Sequence, residues 1–424
     1  MELGEPLVKA PAAADGMPKN SVAKTAVLII ANCAGAGILS LPKAVNQAGV
    51  VAGSLLIVFA AVLSSHTADI LGRCYDLVVA ARERDEERRD SGGGGAAAAA
   101  AAAGSFFARS PYAAIGMAAA GRAGALAVTV AQVATQFCVM VLFFLISGVN
   151  LNKLAPERGS TLFFSLVTTL ALTPFMLLRP GHVWGTAVFA IAASIILVGV
   201  VLVLCATGAP HDAKTPDPPV DFASFGTAFG VILFGFGGHA ILPALQATME
   251  NPTPARFRRA IMGSFAVCTA MYLSTSVSAV LVLGGTVSDD ILTNFSGSVN
   301  DFGLVAVTAH LLFAAVTVHI PLGQIMDHYA GAEDFSARQI ALRVATMCCV
   351  AVAIWAIGDH FFCVIGLVGG TCNNAMIFIF PPYFYARLCA PEQRTPLLLA
   401  KMGAIGLVGT LAMVSALIGA VDGC

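Results

Sequence analysis

Charge is the scarcest commodity in this chain. Only 11% of its 424 residues are Asp, Glu, Lys or Arg, against about 25% in a soluble globular protein. So few charges cannot cover a water-facing surface, which argues against a soluble enzyme. The balance of 23 basic and 24 acidic residues leaves a net charge of −1, so no global field attracts nucleic acid. Also missing are a Gly-x-x-x-x-Gly-Lys phosphate loop, a His-Glu-x-x-His motif and paired Cys-x-x-Cys elements. ATP hydrolysis, zinc chemistry and a resident metal or other cofactor therefore find no support. No apolar signal region occupies the first twenty residues, which contain Pro11 and Pro18. The eleven cysteines lie mostly within apolar stretches and read as small buried hydrophobes without a disulfide framework. Cys424 and Cys363 are those placed nearest the outer face.

What is abundant is apolar sequence. Eleven stretches free of charged residues run over 25–42, 44–68, 123–152, 159–178, 180–211, 222–249, 260–288, 302–326, 344–358, 360–386 and 402–421. All but 344–358 reach the ~17 residues a transmembrane helix needs, and that one extends past Arg343 if its side chain snorkels. The expected fold is an all-α integral membrane protein of 11 transmembrane helices. With the N-terminus cytosolic, 19 basic residues lie inside and only Lys43, Lys153, Arg158 and Lys214 outside, a positive-inside bias. The C-terminus then lies on the lumenal or extracellular side. Residues 1–20 read as a disordered cytosolic tail. Residues 77–111, a charge run followed by a Gly/Ala tract, read as a low-complexity cytosolic loop. Asn294-Phe295-Ser296 is a glycosylation sequon on the expected outer face.

Two stretches share an unusual interruption. The first contains Asn32-Cys33-Ala34-Gly35-Ala36-Gly37 with Pro42 five residues after the last glycine. The sixth contains Phe234-Gly235-Phe236-Gly237-Gly238-His239 with Pro243 at the same offset. Glycine weakens helix and proline removes a backbone bond. In hydrocarbon such breaks persist where they line a cavity. The two stretches lie five apart and so cross in opposite directions, which predicts an inverted repeat. Helices 1–5 (21–206) form the first repeat and helices 6–10 (224–386) the second, with helices 1 and 6 discontinuous and helix 11 (398–421) an addition. Exposed amides at such breaks suit a carboxylate and exposed carbonyls suit an ammonium or a cation.

The string Gly35-Ala36-Gly37-Ile38-Leu39-Ser40-Leu41-Pro42-Lys43-Ala44-Val45 resembles the opening motif of the amino acid/auxin permease family. Tyr112-Ala113-Ala114-Ile115-Gly116, Gly238-His239-Ala240-Ile241-Leu242-Pro243-Ala244-Leu245 with Met249-Glu250-Asn251-Pro252, and Phe380-Pro381-Pro382 are similar to further segments of that family. The Leu-Pro-x-Leu form leans toward the vesicular inhibitory amino acid and vacuolar transporter branch. Gly-His-Ala is also similar to plant plasma-membrane members. Lys43 departs from the aromatic residue common there. The resemblance implies a secondary amino acid transporter, not an enzyme, working by alternating access in a vacuolar, vesicular or plasma membrane.

The expected substrate-binding residues are Asn32, Ala34, Gly35, Ala36, Gly37, Gln132, Gln136, Phe234, Gly235, Phe236, Gly237, Gly238 and His239. Thr129, Gln132 and Gln136 share one helical face, where cavity lining and interhelical hydrogen bonding are equal readings. Coupling or gating candidates are His239, His319 and Asn373, with structural roles as the alternative. His310 and His319 fall on opposite faces of one helix, and His319 is expected to be the inward one. No acidic residue adjoins either break, which points to small neutral amino acids. The expected coupling ion is H+, with Na+ second, and a monomer in the lipid bilayer is the expected form. The alternative is an amino acid sensor using the same pocket without transport.

Overall fold

The computed structural model describes residues 20–35, 37–90, 110–177, 183–207, 222–358 and 360–422. The N-terminal tail, most of the Gly/Ala tract and Ala36 lie outside them. Among the described residues the chain is all-helical, with a single isolated bridge between Asn20 and Met249. Helices α1 (Val22–Cys33) and α2 (Gly37–Ala48) meet at an angle of 60°. They are followed by α3 (Val50–Asp90), α4 (Pro111–Leu154), α5 (Thr161–Leu172) and α6 (Val183–Thr207). The second half runs α7 (Phe222–Gly235), α8 (Leu242–Ala247), α9 (Pro254–Leu283), α10 (Ser298–Ala330), α11 (Ala337–Ile357), α12 (Phe361–Val368), α13 (Phe380–Leu388) and α14 (Pro396–Asp422). Among the described residues eight helices are long and apolar enough to cross a membrane, or nine if the bent α1–α2 pair is one crossing. Thr161–Leu177 and Ala223–Gly235 are apolar but shorter. Both expected interruptions are real breaks.

Three local features differ from the sequence expectation. First, α3 continues to Asp90, so the charge run opening the expected loop is helical. Arg and Glu are good helix formers, and Arg82 pairs with Glu86 one turn on at 3.9 Å. Second, the tenth stretch is not a regular α-helix. It widens into π-helical turns over Gly369–Asn373 and Ala375–Ile379, where Asn374 Nδ2 donates to the carbonyls of Gly370 (3.0 Å) and Gly409 (2.6 Å). Third, Cys363, near the start of α12, is disulfide-bonded. That corrects the reading of the cysteines as buried thiols without a disulfide.

The core is sealed by close backbone approaches and a few polar staples. Helix α4 bends at Ala120–Gly121, where Gly121 adopts φ +63°, a conformation that favours glycine. Its first leg is pinned by the Tyr112 hydroxyl, which donates to the Met376 carbonyl at 2.6 Å. At the arginine-rich end, Arg343 on α11 donates to Asp327 on α10 and, at 3.2 Å, to the Met176 carbonyl after α5. The two side chains are only 7% and 13% exposed. At the opposite end, Lys153 donates to the carbonyls of Leu292, Thr293 and Phe295. In the same loop Asp290 caps a short 3-10 turn by accepting from the Leu292 N–H at 2.9 Å.

Breaking the Arg343–Asp327 pair on one side strands a buried charge. Asp327→Ala should destabilise the fold by about 3–5 kcal/mol, while the paired Asp327→Leu/Arg343→Met change should cost far less. Thermal unfolding in detergent separates the two. Asp290 gives a pH signature. Burial raises its pKa to about 6, opposed by the Leu292 amide and by Lys153. Its unfolded value is about 3.9, so the folded state binds the proton more tightly. The contribution to stability is full below about pH 4 and is lost as pH rises through about 6. Asp290→Asn should flatten that part of the unfolding-temperature profile.

Candidate functional site

The two breaks meet. A Cβ placed on Gly37 would sit 3.1 Å from the Cα of Gly235, and one on Gly238 would sit 3.1 Å from Cys33 Sγ and 3.9 Å from Asn32 Nδ2. Asn32–Gly37 and Gly235–Gly238 therefore face each other across a backbone contact, and only small residues allow it. Around them Ala34, Gly35, Gly37, Phe236, Gly238 and His239 are buried.

Side chains from other helices satisfy the carbonyls that the breaks expose. The Tyr272 hydroxyl on α9 lies 2.7 Å from the Cys33 carbonyl and 2.6 Å from the Gly235 carbonyl. It has one proton, so it serves either carbonyl in turn and ties both broken helices to α9. Ser194 on α6 donates to the Ala34 carbonyl at 2.6 Å. Gln132 on α4 donates to the Ala240 carbonyl at 3.2 Å. Asn373 donates to the Leu233 carbonyl at 3.0 Å, and a Cβ on Gly237 would press against its amide at 2.8 Å. Asn373 thus lies behind the break of the sixth stretch. Phe236 turns away from α2. It stacks on Phe265 with centroids 5.8 Å apart and meets the Tyr272 ring edge-on at 5.2 Å.

What remains unpaired near the breaks includes both donors and acceptors. The backbone N–H groups of His239 and Ala240 have no partner among the described residues. Thr67 donates to the Ser64 carbonyl at 3.0 Å, so its hydroxyl oxygen accepts from His239 Nε2 at 3.0 Å. His239 Nδ1 is left as a bare acceptor. His310 Nδ1 faces the Ala190 carbonyl at 3.1 Å and must donate to it, leaving Nε2 as a second bare acceptor. That Nε2 lies 3.5 Å from the position of a Cβ on Gly35, with Phe143 beside it at 3.6 Å. The Oε1 atoms of Gln132 and Gln136 are buried and unpaired as well. Two amides and four acceptors thus line the region of the breaks, with no carboxylate among them.

His310, therefore, is the histidine at the break of the first stretch, where the sequence reading favoured His319. His319 is buried with both ring nitrogens unpaired, and Arg343 and Asp327 are the charges bearing on it. Phe234 is half-buried and Thr129 buried. Reading the sequence missed Tyr272 and Ser194, and named His310 without placing it at the site. Two open cavities lie away from the breaks. One of about 530 Å³ is apolar, between α4, the wide turns and α14. The other, of about 510 Å³, lies between α3 and the start of α9.

Tyr272→Phe keeps the ring packed on Phe236 and removes the hydroxyl alone. Both carbonyls then lose their partner, and stability should fall by about 1–3 kcal/mol, read as a lowered unfolding temperature in detergent.

Comparison with known proteins follows the same line. A family profile described as transmembrane amino acid transporter protein matches residues 18–421. Two relatives from Arabidopsis thaliana are named amino acid transporter AVT1B and AVT1C. The chain is 24% and 23% identical to them over 91% and 94% of its length, covering 69% of each relative. A human relative named putative sodium-coupled neutral amino acid transporter 11 is 25% identical over 65% of this chain and 71% of its own. Among solved structures, MhsT in complex with L-phenylalanine superposes with a TM-score of 0.53 at 13% identity, covering 94% of this chain and 99% of that one. The Eremococcus coleocola manganese transporter superposes with a TM-score of 0.55 at 11% identity, covering 93% and 86%. These likenesses establish the inverted-repeat fold with interrupted helices, and the profile match over nearly the whole chain places the protein in the transmembrane amino acid transporter family.

Proposed function

We propose that this protein carries small neutral amino acids across a vacuolar or vesicular membrane by alternating access, coupled to protons, with eleven crossings and a cytosolic N-terminus. The observation that carries this reading is the composition of the unpaired set at the two breaks. The His239 and Ala240 amides suit a carboxylate, and His239 Nδ1, His310 Nε2 and the two glutamine oxygens suit an ammonium. A zwitterion needs both halves. No carboxylate stands near to pair with a cationic side chain, and Phe143 beside Gly35 limits size. The relatives' names support amino acids as the cargo, and the L-phenylalanine held by a fold neighbour supports a central site. Proton coupling is supported by two buried imidazoles, each with one bare nitrogen, near the same breaks. His239 and His310 are the coupling candidates there, with His319 farther along α10 and Asn373 bracing the sixth stretch.

Uptake of a labelled mixture of neutral amino acids into proteoliposomes tests the reading. Accumulation is expected under an inward proton gradient and not under sodium alone. His310→Ala should lower initial uptake by at least tenfold while leaving folded protein. No flux under either gradient, with binding retained, would convert the assignment to a sensor. Wild-type uptake by His310→Ala would remove that residue from the site.

A further inference from the structure

The lipid-facing surface of two neighbouring helices ends in cationic side chains at one depth. On α3, Val51, Leu55, Val58, Phe59 and Val62 are exposed apolar residues at helical spacing. Beyond Val62 the same helical face passes half-buried His66 and buried Asp69 before it reaches the exposed Arg73. On α9, which packs against α3, Val267, Ala266 and Met262 are exposed, and their stripe runs back through Arg259 and Arg258 to Ala255. From Val50 to Arg73 is about 35 Å of helix, and from Leu283 back to Arg259 about 36 Å, at 1.5 Å per residue. The hydrocarbon core is about 30 Å thick. Both arginine sets therefore sit just beyond it, at headgroup level on the arginine-rich face, which is cytosolic in the proposed orientation.

They also share one groove. Asp69, Arg73, Arg258, Arg259 and Met262, with the first turn of α9, line a space of about 510 Å³. Asp69 is engaged by Arg73 at 3.0 Å, which neutralises the only acid there. Arg258 and Arg259 are exposed and make no hydrogen bond or ion pair with any described residue. Free guanidinium groups in a recess are built to take phosphate oxygens bidentately. The apolar stripes leading away from them match acyl chains and match nothing on a free ion. We propose that this groove is a binding site for an anionic glycerophospholipid, its headgroup phosphate held by Arg258 and Arg259 and its chains lying along α3 and α9. Both helices are continuous with the broken pairs, α3 following α2 and α9 following α8, so a bound lipid would moor that half of the bundle to one leaflet. The proposal is independent of what the protein transports.

Native mass spectrometry of the purified, delipidated full chain tests it, with phosphatidylserine and phosphatidylcholine titrated separately. The wild type should retain phosphatidylserine in preference to phosphatidylcholine. Each arginine near a membrane surface contributes roughly fivefold, so Arg258→Gln/Arg259→Gln should reduce that preference by about 30-fold. The exposed, unpartnered positions predict unchanged thermal unfolding of the variant in phosphatidylcholine, which separates lost binding from lost folding. Inorganic phosphate at the same concentration should not displace the lipid. Equal retention of both lipids by the wild type, an unchanged preference in the variant, or full displacement by inorganic phosphate would each overturn the assignment.

Discussion

Hydrocarbon supplies no hydrogen-bond partner, so every main-chain group freed by a helix break inside the bilayer must find one within the protein. That constraint organises the centre of this molecule. Ser194, Gln132, Tyr272 and Asn373 come from four separate parts of the chain, and each meets a carbonyl at or beside a break. The carbonyls are thus largely satisfied internally. The amides of His239 and Ala240 and the lone pairs of two imidazoles are not. The asymmetry is chemically pointed: acceptors of the backbone are plugged by side-chain donors, and two of the four side-chain acceptors left open are imidazole nitrogens that can also bind a proton. A ligand entering this region completes the hydrogen bonding that the fold leaves unfinished.

The glycines that create the breaks also set the spacing of the helices around them. Gly37 lies on Gly235, while farther along α7 Gly230 abuts Gly366 and Gly369. Helix α7 is therefore held flat against α2 on one side and against the tenth stretch on the other. The widened turns over Gly369–Ile379 follow from the same closeness. Asn374 is tied to both Gly370 and Gly409, so the backbone there is shaped by α14 as much as by its own helix. Bulk at any of these positions acts on packing before it acts on a ligand, which is why the hydroxyl of Tyr272 and the ring of His310 are the cleaner probes of the site.

Much of the architecture was legible in the sequence because its signals are local and strong. Charge-free length marks helices, and the matched Gly/Pro offsets at Gly37–Pro42 and Gly238–Pro243 mark the two breaks. The site was legible only in part. A spacing of nine residues places His310 and His319 on opposite faces but does not say which face looks inward. That depends on how α10 packs on α4 and α6, and packing put His310 against Gly35. Tyr272 lies in an apolar stretch with no motif around it. Its role arises from two carbonyls, 239 and 37 residues away in the chain, that only the fold brings to it. The helical run to Asp90 was missed because its composition resembles a solvated linker, although its i,i+4 charge pairs support helix equally well.

Ties between the two repeats close both ends of the bundle, and they differ in kind. At the arginine-rich end Asn20, just before α1, pairs with the segment after α8: its amide donates to the Thr248 carbonyl at 2.8 Å, and its carbonyl accepts from Glu250 at 2.9 Å. This is a short backbone bridge between two chain segments that each lead into or out of a broken pair. At the opposite end Asn46 on α2 donates to the Gly284 carbonyl at 2.9 Å, and Lys153 on α4 holds three carbonyls of the loop before α10. The Asn20 tie is mostly main chain, with its side-chain amide also donating to the Thr248 hydroxyl at 3.0 Å, and the other is a cation that bundles a loop. In the proposed cycle each closure must open in turn. The bridge at Asn20 exchanges its two backbone bonds for water at modest net cost, whereas releasing Lys153 frees three carbonyls together with a charge. Of these two ties, the one at Asn20 is the easier to release.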